Sequence, residues 1–268
     1  MRSIIRSLLY TFACAGVVSL LAGARENTAL ADTTASGYIS ADTTWTAANS
    51  PYSVTGNVIV RSGVTLTIEP GVTVKFDADK ALQIDGGLIA KGTSASPITF
   101  TGGKDASTGT TAKWAYILFS DSSTDATYST SSGDYASGSI MEYCTVEYAG
   151  GTSVSDNGAI RMNNAHPFIN YCTIRNNSAP GIYAYNIAGT LKITNSTITD
   201  NKGTGVSFSH SGGATTISGN TIKNNTASSG GGIFTSWGTV TLTNNTISSN
   251  TSSSYGGGIY AASVVSHK

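Results

Sequence analysis

The feature of this sequence that most restricts its fold is a repeat of 24 or 25 residues in the C-terminal half. Each repeat carries an isoleucine with a threonine directly before it and an asparagine three residues after it. The isoleucines are Ile174, Ile198, Ile222 and Ile247, and the asparagines are Asn177, Asn201, Asn225 and Asn250. A further aliphatic column, after a glycine-bearing turn, consists of Ile160, Ile182, Val206, Ile233 and Ile259. A repeat of this length is typical of a solenoid, in which each turn of the chain packs on the next.

Within each repeat the residues alternate over short runs, as in Val240–Thr243. An alternation with a period of two indicates β-strands that place one side chain inward and the next outward. Runs this short, interrupted by Gly or Asn, cannot form amphipathic helices. The pattern predicts three short strands per turn, each paired in parallel with its copy about 4.8 Å away in the next turn. The isoleucine and valine columns then fill the interior.

The asparagine column has its own physical basis. An asparagine amide carries both donors and an acceptor, so identical side chains stacked at the strand spacing can hydrogen-bond to one another. Asparagine also tolerates the backbone of tight turns. We therefore predict a ladder of hydrogen-bonded amides through Asn177, Asn201, Asn225 and Asn250, located at the turns between strands.

The N-terminal half follows the same scheme less regularly. Residues 64–68 and 72–76 both alternate, and the turn Glu69-Pro70-Gly71 joins them. The stretch from Ser120 to Ser139 is rich in Ser, Thr and Asp and has no periodicity. We interpret it as a surface loop inserted into one turn.

Residues 64–76, 87–93 and 97–101 resemble the N-terminal turns of bacterial secreted right-handed parallel β-helix repeat proteins. Residues 220–233 are similar to the repeats of β-helical surface proteins, including chlamydial polymorphic outer-membrane proteins. The resemblance implies an all-β, single-stranded right-handed parallel β-helix of the pectate-lyase-like superfold, with roughly eight turns of about 24 residues. It implies no activity, because this architecture carries lyases, hydrolases, epimerases, adhesins and phage tail proteins.

The chain divides into three predicted segments. Arg2 and Arg6, an apolar run over residues 8–24 and the small residues Ala29 and Ala31 predict a signal peptide at residues 1–31. Residues 32–57 form an N-terminal cap region, and residues 58–268 form the β-helix. The last residues carry no amphipathic helix or polar cap, so we expect an open turn that permits end-to-end contact with another molecule. The predicted location is secreted, extracellular or at a bacterial cell surface.

Composition removes several function classes. Lys and Arg together number 15, as do Asp and Glu, and charged residues make up only 11% of the chain. This balance argues against a polybasic nucleic-acid binder and an acidic-tail protein. No second apolar stretch follows the predicted signal peptide, so we expect no membrane span after cleavage.

The outward positions beside the third aliphatic column indicate recognition rather than catalysis. These positions hold Arg161, Tyr183, Ser207, Phe234 and Tyr260, followed by Asn163, Tyr185, Ser209, Ser236 and Ala262. They include no carboxylate, which argues against acid–base glycosidase chemistry on this face. The predicted ligand-binding residues are Tyr183, Tyr185, His210, Phe234, Trp237 and Tyr260, since aromatic rings with polar edges suit sugars. The alternative interpretation is that these rings simply stack between neighbouring strands.

The sequence therefore predicts a non-catalytic β-helix that binds an extracellular polysaccharide or cell-surface glycan, or that serves as an adhesin or structural module. The alternative is a polysaccharide lyase or glycoside hydrolase of the same superfold. The resemblance implies that such an enzyme would use an Asp cluster with Ca²⁺ and a base, or several Asp residues. The best catalytic set available is Asp156, Arg161 and His166, whose spacing matches no known motif.

Several other residues have two interpretations each. Asp77, Asp79 and Asp85 are either exposed turn residues or Ca²⁺ ligands, although they do not follow a Ca²⁺-loop spacing. No other cofactor and no metal motif is indicated. Cys144 and Cys172 occupy equivalent inward positions in successive turns and are either bridged or buried thiols.

Two predictions concern side chains stacked across turns. Glu147 and Arg175 form a pair across neighbouring turns. Outward threonines form a flat array, in which Thr241 and Thr243 stack on Thr216 and Ser218. Such an array is a third functional hypothesis, ice binding, but the array is interrupted at Lys192.

Overall fold

The computed structural model describes residues 32–104, 109–151 and 158–262 and the backbone of residues 266–267. The predicted signal peptide and Asp156 therefore lie outside the described residues. No helix in the described part of the chain is long and apolar enough to cross a membrane. The only helical segment among these residues is a short 3-10 turn, Ala47–Asn49.

The described chain is a parallel β-solenoid with three faces, and we number the sheets in the order in which each turn visits them. Sheet 1 contains the strands Thr73–Phe76, Ile98–Gly102, Cys144–Glu147, Thr173–Arg175, Thr197–Thr199, Thr221–Lys223 and Thr246–Ser248. Sheet 2 contains Leu82–Ile84, Ile117–Phe119, Ile160–Asn163, Ile182–Ile187, Val206–His210, Ile233–Ser236 and Ile259–Ala262. Sheet 3 contains Thr43–Trp45, Thr65–Ile68, Gly87–Lys91, Ile140–Glu142, Phe168–Asn170, Thr190–Thr194, Ala214–Ser218, Thr239–Thr243 and Ser266–His267.

The N-terminal end joins sheets 1 and 2. The long strand Tyr52–Val60 pairs with Thr73–Phe76 through its first residues and with Leu82–Ile84 through its last. Within the region predicted as a cap, Thr33–Ile39 pairs in parallel with Tyr52–Val60, and Thr43–Trp45 begins sheet 3. This region adds a turn, so the nine strands of sheet 3 correspond to about nine turns rather than eight.

The registers confirm the columns that the repeat predicts. Ile174 pairs with Ile198, Ile198 with Ile222, and Ile222 with Ile247. The third column pairs in the same way from Ile160 to Ile259. Residues of these columns are fully buried until the last turn, where 44% of Ile259 is exposed.

The asparagine ladder is confirmed, and its position is sharper than predicted. The amide Nδ2 of each asparagine donates to Oδ1 of the next, at 2.8 Å from Asn177 to Asn201, 2.9 Å from Asn201 to Asn225 and 3.0 Å from Asn225 to Asn250. The same Oδ1 atoms accept the backbone N–H groups of the preceding ladder residue. The ladder residues do not make the turn themselves. The residues directly before them have positive φ: Asn176, Asp200, Asn224 and Ser249.

A second ladder, which was not predicted, lies after sheet 3. The backbone N–H of Ser196 donates to Asn220 Oδ1 at 2.8 Å, and that of Asn220 donates to Asn245 Oδ1 at 2.9 Å. In the two preceding turns Cys172 and Cys144 hold the same position. The backbone N–H of Cys172 donates to Ser196 Oγ at 3.0 Å, so Cys172 directly precedes Ser196, the first residue of this ladder.

The inserted segment 120–139 is folded rather than a simple loop. It contains an antiparallel hairpin of Thr127–Tyr128 and Tyr135–Ser137, which we call the hairpin. The rings of Tyr128 and Tyr135 lie 5.8 and 5.9 Å from the ring of Phe168 on sheet 3. The hairpin therefore covers part of the outer surface of sheet 3.

A second addition to the three sheets is a pair of parallel strands, Thr226–Ser229 and Thr251–Tyr255, between sheets 1 and 2.

Candidate functional site

The hairpin and sheet 3 enclose a cleft of about 500 Å³, which we call the hairpin cleft. The hairpin contributes Gly133, Asp134 and Tyr135 to its lining. Sheet 3 and the corner that leads to sheet 1 contribute Lys91, Ile140, Glu142, Phe168, Asn170, Tyr171, Lys192, Thr194, Asn195 and Ser218. The cleft thus combines amides, hydroxyls, charged groups and aromatic rings.

One column of outward side chains on sheet 3 supplies several of the polar groups. Lys91 pairs with Glu142, Glu142 with Asn170, and Asn170 with Thr194 in successive turns. The Asn170 amide Nδ2 donates to Glu142 Oε1 at 2.7 Å, and Thr194 Oγ1 donates to Asn170 Oδ1 at 2.8 Å. The parallel stacking of turns places these side chains in a line along the floor of the cleft.

The charged side chains of that column, Lys91 and Glu142, and the nearby Lys192 all have contacts within the protein. Lys91 Nζ lies 3.8 Å from Glu142 Oε2, and Lys192 Nζ donates to Gly133 O at 2.8 Å. The Lys192 ammonium also lies 3.9 Å from the centroid of the Tyr128 ring, a cation–π distance. Both ammonium groups are therefore held in place by contacts within the protein.

The aromatic wall of the cleft is held in its neutral form. Burial, and next the charge of Glu142, raise the pKa of Tyr135, whose hydroxyl donates to Gly138 O at 2.6 Å. Tyr128 packs against Phe168 next to the cleft and does not line it, and burial likewise raises its pKa well above the ordinary value. Both phenols therefore remain protonated across the physiological range.

His166 fastens the hairpin segment to the solenoid. Its Nδ1 lies 2.8 Å from Asp125 Oδ2, and its Nε2 accepts the backbone N–H of Gly189 at 2.8 Å. The backbone N–H of His166 also donates to Asp125 Oδ1 at 2.8 Å. Both ring nitrogens are thus occupied by structural contacts.

The predicted catalytic set is not assembled by the described residues. Asp156 lies outside them. Arg161 is on sheet 2, with its guanidinium 5.8 Å from the Tyr116 ring and 5.3 Å from the Tyr185 ring. His166, in contrast, is bound to Asp125 and Gly189 near sheet 3.

The predicted aromatic face is present on sheet 2 but is divided into two patches. Tyr183 and Tyr185 lie 5.6 Å apart, and Phe234 and Tyr260 lie 5.7 Å apart. Ser207 pairs with both Tyr183 and Phe234 and therefore separates the patches. Trp237 is a corner residue with φ +62° and 58% exposure.

His210 differs from the prediction because it is buried. The strand Val206–His210 continues to this residue, so the period-two alternation turns His210 inward with Val206. Its Nδ1 lies 2.8 Å from Trp237 O and its Nε2 lies 2.8 Å from Thr215 Oγ1. Burial lowers the pKa of His210, which keeps the ring neutral. His210 therefore supports the Trp237 corner from inside and does not face a ligand.

The other paired positions can now be placed. Arg175 Nε lies 3.0 Å from Glu147 Oε2, which confirms the predicted pair. Cys144 and Cys172 are buried free thiols, and burial raises the pKa of Cys144 well above its ordinary value. Thr241 and Thr243 do stack on Thr216 and Ser218, as the registers predict.

The aspartates proposed as Ca²⁺ ligands do not converge. Among residues 32–104, 109–151 and 158–262, no three His, Cys, Asp or Glu side chains lie close enough together to hold a metal ion. Asp85 instead accepts hydrogen bonds from Gln83 Nε2 at 2.9 Å and Ser120 Oγ at 2.7 Å.

The hairpin cleft was not predicted because the outward side chains of sheet 3 were considered only as a threonine array around Thr216 and Thr241, and ligand-binding residues were sought beside the third aliphatic column, on sheet 2. The signal was available in the outward column of sheet 3, where Lys91, Glu142 and Asn170 follow one another. The insertion between the strands that hold Lys91 and Glu142 hides this alignment from a search for a constant repeat.

Comparison with known proteins agrees with this architecture. The family model described as a right-handed beta helix region matches residues 58–247. The chain belongs to this family of right-handed β-helix proteins. No curated protein and no solved structure matches the chain.

Proposed function

We propose that this β-helix binds a glycan in the hairpin cleft and does not transform it. The observation that supports the proposal is the line of polar side chains Lys91, Glu142, Asn170 and Thr194 beside the rings of Tyr135 and Tyr171. Sugars offer many hydroxyls together with apolar ring faces, and this combination of amides and aromatic rings is complementary to both. A place outside the cytoplasm, based on the predicted signal peptide, is consistent with such a ligand.

The contacts of Glu142 favour binding over catalysis. Its Oε1 accepts from Asn170 and its Oε2 faces Lys91, so both oxygens of the side chain are engaged in contacts within the protein. A glycosidase needs one protonated carboxyl group to donate to the leaving oxygen and a second carboxylate opposite it. Lys91 and Lys192 are similarly held by contacts within the protein, with Glu142 and with Gly133 O.

The test is a glycan array, followed by calorimetry with any glycan that binds. We expect the double variant Lys91→Ala with Asn195→Gly to lose binding, because both residues line the cleft. Glycine is suitable at position 195, where φ is +51°, because it tolerates this backbone conformation. Tyr183→Ala on sheet 2 is the matched control and should bind as the unaltered protein does.

Two outcomes would contradict the proposal. Loss of binding in Tyr183→Ala or Trp237→Asn, with the cleft variant unaffected, would move the site to the aromatic face of sheet 2. Release of unsaturated uronides or new reducing ends from a polysaccharide would establish a lyase or hydrolase instead.

A further inference from the structure

Two tyrosines occupy a backbone position that is unfavourable for them. Tyr143 and Tyr171 lie at the corner between sheets 3 and 1, with φ values of +48° and +49°. In the following turns the same corner holds Asn195, Gly219 and Asn244, also with positive φ. Asparagine and glycine tolerate this conformation, whereas a bulky side chain with positive φ is strained. Later turns thus place a better-suited residue at this corner, whereas two turns place a tyrosine there.

The two rings contribute little to the core. They are parallel within 3°, with centroids 4.8 Å apart, and 47% of Tyr171 is exposed. This separation equals the spacing between turns, so the rings lie one above the other along the solenoid axis. The face of Tyr171 that does not contact Tyr143 is directed toward the turn of Asn195, which is small and exposed. Tyr171 and Asn195 both line the hairpin cleft.

We propose that the Tyr143–Tyr171 pair is a stacking platform for a neutral hexopyranose chain. The free face of Tyr171 receives the apolar face of one sugar ring, and Tyr143 supports Tyr171 from behind. Asn195 Nδ2 donates to Asn170 Oδ1 at 3.0 Å, which leaves the other amide hydrogen and the Oδ1 of Asn195 as groups for sugar hydroxyls. This assignment rests on the glycan-binding function proposed above.

The charge of the cleft supports a neutral chain. Lys91 and Lys192 are balanced by Glu142 and Asp134 within the same lining. The Lys91 ammonium faces Glu142, and the Lys192 ammonium faces Gly133 O and the Tyr128 ring. A uronate or sulfate would bring a negative charge next to Glu142 and Asp134 and compete with these contacts, whereas the hydroxyls of a neutral sugar need only the amides and Thr194.

The experiment compares Tyr171→Asn with Tyr148→Asn by calorimetry and thermal unfolding. Tyr148 is a matched control because it is also an exposed corner tyrosine with positive φ (+61°), at the corner that follows sheet 1 and outside the lining of the cleft. The probes are cellohexaose and chitohexaose as neutral chains and polygalacturonate as the acidic one. We expect Tyr171→Asn to lower the affinity for a neutral probe at least about tenfold. We expect its melting temperature to be unchanged or raised, and Tyr171→Trp to retain binding.

The other results would each contradict a specific statement. Equal affinities in the unaltered protein, Tyr171→Asn and Tyr148→Asn would overturn the platform and leave the glycan-binding function standing. A larger fall in melting temperature for Tyr171→Asn than for Tyr148→Asn would assign the pair a role in folding instead. Binding of polygalacturonate alone would overturn the neutral ligand. Failure of the unaltered protein to bind any glycan would overturn both proposals.

Discussion

The N-terminal and C-terminal turns of this solenoid fill the same cross-section in different ways. In the N-terminal turns the interior holds large rings, with Phe76, Phe100, Trp114 and Phe119 all buried. From about residue 173 onward the interior holds columns of isoleucine, and buried asparagine ladders accompany them. The comparison teaches that packing of bulky rings tolerates turns of unequal length, whereas a ladder requires a hydrogen-bonding side chain at the same place in every turn.

The two constructions also depend on different forces. Burial of aromatic rings is non-directional and scales with the apolar area removed from water. A buried amide contributes only if each donor and acceptor finds its partner. The N-terminal turns should therefore be most sensitive to lost volume, and the C-terminal turns to a single unmatched polar group.

The largest effect is expected from removal of a ring in the N-terminal interior. Trp114 stacks on Phe76 at 4.1 Å, and its Nε1 donates to Glu147 O at 2.8 Å. Trp114→Ala should lower the free energy of unfolding by about 3–5 kcal/mol, measured by urea denaturation with circular dichroism. Phe234→Ala, on the half-buried outer face of sheet 2, is the control and should lose much less. A loss below about 1 kcal/mol for Trp114→Ala would refute the distinction.

A substitution within the first ladder should have the next largest effect. Asn201→Leu removes the Oδ1 that accepts from the Asn177 backbone and side chain, and the Nδ2 that donates to Ile174 O at 3.1 Å. Buried unsatisfied groups cost about 1–3 kcal/mol each, so we expect a loss of about 3 kcal/mol in the free energy of unfolding. Asn250→Leu, at the partly exposed end of the ladder, should cost about 1 kcal/mol because water can replace the amide. Equal losses at the two positions would argue against a cooperative ladder.

Cys144 lies between the ring-filled N-terminal turns and the isoleucine-filled C-terminal turns. Its burial should make the free energy of unfolding fall at alkaline pH. Burial, together with the neighbouring Cys172, raises the pKa of Cys144 above its ordinary value of 9.0. The folded chain keeps the thiol protonated while the unfolded chain ionises it, so this contribution to stability is complete below about pH 8.5 and falls above it. The fall should approach about 1.4 kcal/mol per pH unit and should be smaller in Cys144→Ser. Denaturation at pH 8 and pH 9.5 measures the difference, and identical slopes would refute the prediction.

The smallest effect on stability is expected from protonation of His210 in the C-terminal turns. Burial lowers its pKa from the ordinary value of 6.5, so the folded chain binds a proton less readily than the unfolded chain. This contribution is complete above about pH 6.5 and is lost as the pH falls through the lowered pKa. Between pH 7 and pH 5 we expect a fall of about 2 °C in melting temperature attributable to this ring. A His210→Phe variant should lack that component, and Trp237 fluorescence provides a local probe of the same corner.

The features that could be predicted from the sequence are the contacts between equivalent positions in successive turns. Because successive turns occupy the same environment, Ile174, Ile198 and Ile222 had to share one interior column, and the asparagines three residues later had to meet. The same logic identified the Glu147–Arg175 pair, since a position and its copy one turn later are always neighbours.

The sequence could not predict what interrupts the repeat. The hairpin has no copy in other turns, so periodicity could not predict that its tyrosines pack against Phe168. The second ladder was missed because it changes residue type from Cys172 to Ser196 to Asn220. The backbone strain at Tyr171 depends on knowing which corner residue adopts a positive φ, and that requires coordinates.

The in-register ladders have a consequence for how such a protein can change its length. Deleting residues 197–220 would join Ser196 to Thr221 and place Asn177 directly against Asn225, in the contact that Asn201 now makes with each of them. Every surviving turn would meet a neighbour of the same chemistry, and the body would be shorter by about 4.8 Å. Duplication or loss of one coding unit can therefore resize the molecule while keeping the first asparagine ladder and the isoleucine columns in register.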